Sequence, residues 1–132
     1  MLNSILHESD ALTVIRGESK TLRLEVTEED RTGAEVPTDI TGAVIYLTVK
    51  VLAVDNKALI HKSSTEVTEI EITNPLSGVA FIYLLPEDTF YLDPGDYVFD
   101  VWVRYTSTEK RFPVVRNSTF RVVSGVSRIP LP

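Results

Sequence analysis

Apolar and polar residues alternate with a period of two along most of the chain, which predicts β-strands with one side facing a core. The clearest run is 21–27, where Leu22, Leu24 and Val26 point one way and the polar residues between them point the other. Similar runs predict strands at 43–51, 58–62 (a small edge strand), 66–73, 79–85, 97–105 and 111–123. The run 79–85 is apolar on both faces, so we expect it to be central or covered on both sides.

Turn-forming residues separate these runs. Gly, Pro, Asn and Asp cluster at 32–33, 41–42, 74–78 and 93–96, and Pro113 predicts a break in the last strand. Residues 85–90 predict a single helical turn, because Pro86 is followed by two acidic residues. About seven short strands with regularly spaced turns predict an all-β fold, an immunoglobulin-like β-sandwich with extended termini.

The two ends of the chain lack the alternation. We therefore predict an N-terminal arm at residues 1–10, a sandwich at 11–124 and an extended C-terminal tail at 125–132. Both ends carry apolar side chains, which favour docking on a neighbouring protein. The predicted partner-binding residues of the two ends are Leu2, Ile5, Leu6, Val126, Ile129 and Leu131.

Composition narrows the classes of function. The 132 residues include no Cys, which excludes a disulfide and a thiolate metal site. The net charge of −6 argues against binding nucleic acid, and we interpret Lys110, Arg111 and Arg116 as a solvated hairpin rather than a partner patch. No run approaches the roughly 20 apolar residues of a membrane helix, and residues 1–8 do not resemble a signal peptide.

Residues suited to catalysis are sparse. His7 and His61 stand alone, and neither has a Ser, Asp or Cys arrangement near it in sequence. The acidic residues between 87 and 96 do not have the spacing of a calcium loop, so we interpret them as residues that cap a turn. The sequence therefore predicts a protein that is not an enzyme and that has no metal, cofactor or small-molecule substrate.

Two aromatic residues suggest a surface for a protein partner. Trp102 falls on the outward side of its predicted strand, between Asp100 and Arg104, and Tyr46 falls on the outward side of another strand. Trp is enriched at protein interfaces. We predict that Trp102 and Tyr46 bind a partner, with the alternative that a loop or a neighbouring strand covers Trp102.

Other residues are predicted to be structural. Tyr97 follows Pro94-Gly95, where an immunoglobulin-like fold places a tyrosine whose hydroxyl bonds to nearby backbone. The predicted structural glycines, which we assign to turns, are Gly17, Gly42, Gly78 and Gly95.

Several phrases between residues 14 and 124 follow an order found in one known family. They are Arg16-Gly17-Glu18, Thr38-Asp39-Ile40-Thr41-Gly42-Ala43, Ser77-Gly78, Pro86-Glu87-Asp88-Thr89, Pro94-Gly95-Asp96-Tyr97 and Ser118-Thr119-Phe120-Arg121-Val122. In this order the chain resembles the N-terminal immunoglobulin-like domain of tailed-phage baseplate upper proteins. The order and spacing of the phrases carry the resemblance, since none is specific alone.

The resemblance implies a structural protein of a tailed-bacteriophage virion, in the baseplate, tail or neck, assembled in the cytoplasm of the bacterial host. Its partners would be other virion proteins and copies of itself in a ring, bound through the sandwich surface and the extended termini. The alternatives are head-surface decoration and a carbohydrate or cell-surface binding module. A carbohydrate module would require Tyr91 and Tyr105 to join Trp102 and Tyr46 in one exposed row.

Overall fold

Two β-sheets make up the fold in the computed structural model, which describes residues 2–7, 12–127 and 129–131, with the backbone alone for 2–7. The strands are β1 (Leu2–His7), β2 (Leu12–Ile15), β3 (Lys20–Glu29), β4 (Glu35–Pro37), β5 (Ala43–Lys50), β6 (Ile60–Ser63), β7 (Ile70–Asn74), β8 (Val79–Leu84), β9 (Gly95–Tyr105) and β10 (Arg111–Val123). A 3₁₀ turn spans Pro75–Ser77, and the short helix α1 spans Pro86–Thr89. The predicted all-β sandwich is confirmed.

The order of strands is simple within each sheet. Sheet 1 has the order β1-β3-β8-β7, with β4 paired to the far end of β3, and sheet 2 has the order β2-β10-β9-β5-β6. Neighbouring strands are antiparallel except β2, which runs parallel to β10. The interior position predicted for 79–85 is confirmed, because β8 lies between β3 and β7, and β6 is the predicted edge strand.

The core lies between the inner faces of the two sheets. Leu22, Leu24 and Val26 of β3 are fully buried, as their alternation predicts. On the inner face of sheet 2, the buried rings of Phe99 on β9 and Phe120 on β10 meet edge to face, with their centroids 6.1 Å apart.

Two details of the strands follow from local chemistry. The pairing of β10 with β9 shifts register after Pro113 and again after Val115, which confirms the predicted break, since proline has no N–H to donate to the ladder. The run 43–51, in which Val51 follows the apolar positions Ile45, Leu47 and Val49, predicts that Val51 also faces inward. It is exposed instead, because β5 ends at Lys50.

The structure contains strands that the alternation did not predict. Residues 2–7, expected in the N-terminal arm, form β1 and pair antiparallel with β3. The alternation also did not predict the short strands β2 and β4. The predicted boundary after residue 10 lies outside the described residues. After β10, residues 124–127 and 129–131 contain no strand or helix, as expected of the tail.

Strand direction brings distant parts of the chain to one end of the sandwich. β2, β5, β8 and β10 finish at this end, where β3 and β9 begin, as pairs such as Val123 with Ile15 and Lys20 with Leu84 show. The turn at 16–19, the loop at 51–59, the turn at 85–94 and the segment after Val123 therefore meet there. We call this region the tail end.

Candidate interaction surfaces

Tyr46 and Trp102 lie side by side on the outer face of sheet 2. They are direct partners in the pairing of β5 with β9, and Trp102 is also opposite Pro113 of β10. The side chain of Trp102 is 37% exposed. Together with Arg104 and Arg111, they line a shallow depression of about 430 Å³. We call these four residues the aromatic face.

Hydrogen bonds hold three of the four side chains of the aromatic face, those of Tyr46, Trp102 and Arg104. Arg104 donates from Nε and Nη2 to the Tyr46 hydroxyl oxygen, at 3.3 and 3.1 Å, and from Nη1 to the Glu109 carboxylate. These contacts, with Tyr46 the larger cause, raise the pKa of Arg104, so its positive charge is permanent. The Trp102 indole N–H donates to Asp100 Oδ2 at 3.0 Å. A surface ordered in this way loses little side-chain entropy when it binds.

Arg111 and Arg116 flank Trp102 on opposite sides. Arg111 borders the first depression, and Arg116 borders a second one of about 320 Å³ on the other side, which Asp100 and Pro113 also line. Both arginines are exposed. The sequence interpretation of a solvated hairpin thus misses their position beside the aromatic pair, which depends on the pairing of β9 with β10.

His61 belongs to the margin of this face. Its ring stacks on Tyr46 with the centroids 5.8 Å apart, and Nδ1 lies 3.0 Å from the Thr48 hydroxyl. These two contacts hold the imidazole ring beside Tyr46. The His7 side chain lies outside the described residues.

A second surface lies at the tail end and consists of exposed apolar side chains. Val126 is fully exposed, Ile129 is 79% exposed, and Leu131 is partly buried. Ile129 borders a groove of about 140 Å³ with Ile15 and Phe90. The large hydrophobic residues exposed at this end are Ile15, Val51, Leu52, Val54, Leu85, Tyr91, Val126 and Ile129. Of the predicted partner-binding residues in the N-terminal segment, Leu2, Ile5 and Leu6 have only their backbone described, in β1.

The predicted structural residues lie at turns. The Tyr97 hydroxyl donates to the backbone oxygen of Asp93 at 2.6 Å, and burial, with a smaller effect of the Asp93 charge, raises the pKa of Tyr97. Gly17, Gly42 and Gly78 have φ angles of 83°, 76° and 71°, while Gly95, with φ at 158°, opens β9.

The acidic residues between 87 and 96 are separated rather than convergent. Asp88 accepts the backbone N–H of Leu85 at the start of α1 and pairs with Lys62 Nζ, each at 2.7 Å. Asp96 pairs with Arg121 at 2.7 Å, which lowers the pKa of Asp96. Within the described ranges, no group of three or more His, Cys, Asp or Glu side chains is placed to hold a metal ion.

The aromatic residues do not form the row that a carbohydrate module would require. Tyr105 alternates to the core side of β9, and its hydroxyl donates to the backbone oxygen of Asp39 at 3.1 Å. Tyr91 lies at the tail end. Only Tyr46 and Trp102 of the four therefore share the outer face of sheet 2.

The strand order defines the class of fold. The first strand of the sandwich is divided between the sheets, with β1 on β3 and β2 parallel to β10, and the sheets continue as β3-β8-β7 and β10-β9-β5. This is the order of an immunoglobulin-like domain, and Tyr97 near the start of β9 supplies its tyrosine corner.

Comparisons with known proteins do not refine this fold class further. No family model matches the chain, and no curated protein matches it. A solved structure of murine CRIg is similar, with a TM-score of 0.45 and 9% identity over 95% of this chain and 98% of that one. The assignment to the immunoglobulin-like fold class therefore rests on strand order.

No helix in the described part of the chain is long and apolar enough to cross a membrane.

Proposed function

We propose that this chain is a non-catalytic structural protein that works by binding other proteins, as a component of the baseplate, tail or neck of a tailed-bacteriophage virion. The observation that carries the binding role is the cluster of exposed apolar side chains at the tail end. The ordered phrases from Arg16-Gly17-Glu18 to Ser118-Thr119-Phe120-Arg121-Val122 support the virion assignment.

The clustering at the tail end distinguishes it from ordinary surface. Single exposed apolar residues are normal on a soluble protein, whereas most of those in the described ranges lie on the segments that meet at this end, and Ile15 and Ile129 share one groove there. Among the large hydrophobic side chains exposed in the described ranges, only Val67, Leu76 and Trp102 lie elsewhere. Burying the rest against a neighbour would remove them from water, at a gain of roughly 25 cal/mol for each Å² of apolar surface.

The C-terminal segment extends this contact. Val126 and Ile129 project from a stretch without strand or helix that lies beside Ile15 of β2. An extended segment of this kind can follow the surface of a neighbouring subunit. We propose that the rigid sandwich positions the segment, and that the bound neighbours are other virion proteins rather than nucleic acid, a membrane or a small molecule.

The test of the virion assignment is the protein content of purified particles. Gradient-purified phage particles from the culture that produces the chain would be digested and quantified by mass spectrometry, with antibody labelling in the electron microscope to locate the protein. We expect the chain in a fixed ratio to known tail proteins. Labelling of the head would favour the decoration alternative, and absence from particles would reject the assignment.

A further inference from the structure

Trp102 lies within a basic region on the outer face of sheet 2, although the whole chain has a net charge of −6. Its side chain lines three depressions, of about 240, 430 and 320 Å³. Asp100 lines two of them, and its Oδ2 accepts the indole N–H of Trp102. Among the described residues, the charged ones that line the three depressions are Lys50, Arg104, Arg111 and Arg116, against Asp100. The surface around Trp102 is therefore suited to a negatively charged partner.

Two of these arginines have no carboxylate partner. Arg104 pairs with Glu109 at 3.2 Å, so its charge is already offset. Arg111 lies opposite Arg104 in the pairing of β9 with β10, and Arg116 lies on the other side of Trp102. Arg111 and Arg116 are exposed, and neither forms an ion pair within the described part of the chain. Both guanidinium groups are therefore available to bind carboxylates of another molecule.

The surface between these two arginines is aromatic and apolar. The exposed indole of Trp102 has Tyr46 directly opposite it on β5 and Pro113 directly opposite it on β10. A small anion such as phosphate would engage the arginines but leave these side chains in water. A protein segment can cover both, and Trp and Arg are the residues enriched where the energy of a protein interface is concentrated.

We propose that this region binds a segment of another protein in which acidic residues flank an apolar or aromatic side chain. The central side chain packs on Trp102 and Tyr46, and the acidic residues on either side pair with Arg111 and Arg116. The hydrogen bonds on Tyr46 and Trp102 limit the side-chain entropy lost on binding. This inference rests on the proposed function and deepens it, because it names the chemistry of one protein partner.

A peptide of this chemistry tests the proposal with purified protein. The probe is a dye-labelled synthetic peptide with a central phenylalanine flanked on both sides by aspartates, and its reference has asparagines in place of the aspartates. Fluorescence anisotropy would measure the affinity of each. Trp102 is the only tryptophan of the chain, so its emission reports whether an unlabelled peptide binds at this face.

The variants remove charge from the region without touching the core. Arg111→Gln combined with Arg116→Gln neutralises both unpaired arginines at exposed positions. The matched control is Arg31→Gln, which neutralises an exposed arginine in the turn between β3 and β4. Thermal melts verify that every variant folds.

The proposal gives a specific pattern of outcomes. The acidic peptide binds the native chain and Arg31→Gln equally and changes the emission of Trp102. The double variant binds it at least about tenfold more weakly, and the native chain binds the asparagine peptide with a similar loss. Added salt weakens binding of the acidic peptide. Equal affinity for the two peptides, unchanged affinity of the double variant, or no binding of the acidic peptide at millimolar concentration overturns the proposal.

A dye-labelled oligothymidylate distinguishes a protein segment from a nucleic acid. We expect it to bind more weakly than the acidic peptide, because the net charge of the whole chain is negative. If it binds as tightly as the acidic peptide, the proposal of a protein segment is overturned. All of these measurements use the purified chain, so a failure here leaves the virion assignment to be decided separately by the protein content of purified particles.

Discussion

Gly78 occupies a position where backbone from two other segments leaves no room for a side chain. A Cβ atom there would lie 2.5 Å from the backbone oxygen of Val26 and 2.7 Å from that of Thr38, and φ is 71°. We predict that Gly78→Ala destabilises the fold by about 2–4 kcal/mol, from the left-handed backbone and the overpacking together. Urea unfolding measures this free energy.

Gly33 provides the matched control. Its φ is 84°, but a Cβ atom there would meet nothing within 4 Å. Gly33→Ala should therefore cost only the backbone strain, about 1 kcal/mol. Equal losses from the two substitutions would contradict the close approach at Gly78.

Tyr97 stabilises the turn before β9 through one hydrogen bond from its hydroxyl. Removing that bond in Tyr97→Phe also leaves the Asp93 backbone oxygen without this donor, so we predict a loss of about 1 kcal/mol of unfolding free energy at neutral pH. Tyr91→Phe, at an exposed position of the same turn, should change stability little. Comparable effects of the two substitutions would argue against a tyrosine corner.

The raised pKa of Tyr97 adds a pH dependence to this comparison. As the pH rises, the unfolded chain loses the Tyr97 proton first, near its ordinary pKa of 10.0. The stabilisation from Tyr97 is therefore complete below pH 10 and falls as the pH rises through the higher native pKa. We expect the stability difference between the native chain and Tyr97→Phe to shrink above pH 10 in urea titrations. A difference that stays constant there would contradict the assignment.

At the scale of elements, one buried ion pair connects β6 at the edge of sheet 2 with α1. The Lys62 side chain is 6% exposed and the Asp88 side chain 16%, and the two charges are 2.7 Å apart. Removing one partner leaves the other charge buried, so Lys62→Met should cost about 3 kcal/mol, measured by chemical unfolding. The double variant Lys62→Met/Asp88→Asn should lose less than the sum of the single losses.

The exposed pair of Arg121 and Asp96 serves as the control for this prediction. Its N–O distance is also 2.7 Å, but both side chains are more than half exposed. Arg121→Met should therefore change stability by no more than about 1 kcal/mol. If Lys62→Met costs no more than Arg121→Met, burial does not strengthen the connection between β6 and α1.

Much of the architecture was predictable because a strand with one buried face has an apolar residue at every second position. This holds for β3, β5, most of β9 and the last five residues of β10. It fails for β4, which has only three residues and is paired along one edge, and for β1 and β2. The three residues of β4 and the four of β2 are too few for alternation to be distinguished from chance, whereas the six residues of β1 do not alternate, since Ile5 and Leu6 are adjacent.

The candidate surfaces were predictable only in part. Alternation placed Tyr46 and Trp102 on outward faces, but their adjacency depends on the register between β5 and β9. The tail end had no local signal, since Val54, Tyr91 and Val126 come from three separated parts of the chain. Only the folded topology brings such residues together.

At the scale of the whole molecule, we propose that the sandwich is a rigid body that carries binding surfaces on different sides. The aromatic face presents fixed cationic and aromatic groups on sheet 2, and the tail end presents apolar side chains where four segments meet. A protein with separate surfaces can contact several neighbours at once, and many weak contacts then add up in an assembly.

The most direct test of the central claim is incorporation of tail-end variants into particles. Val126→Ser with Ile129→Ser would be compared with Val67→Ser and Leu76→Ser, exposed apolar positions away from the tail end. Each protein would be supplied to phage growing without the native copy, and its amount in purified particles quantified by mass spectrometry. With unchanged melting temperatures throughout, we predict that the first pair loses at least about tenfold in incorporation while the second pair enters normally. Normal incorporation of the tail-end variant would contradict the account.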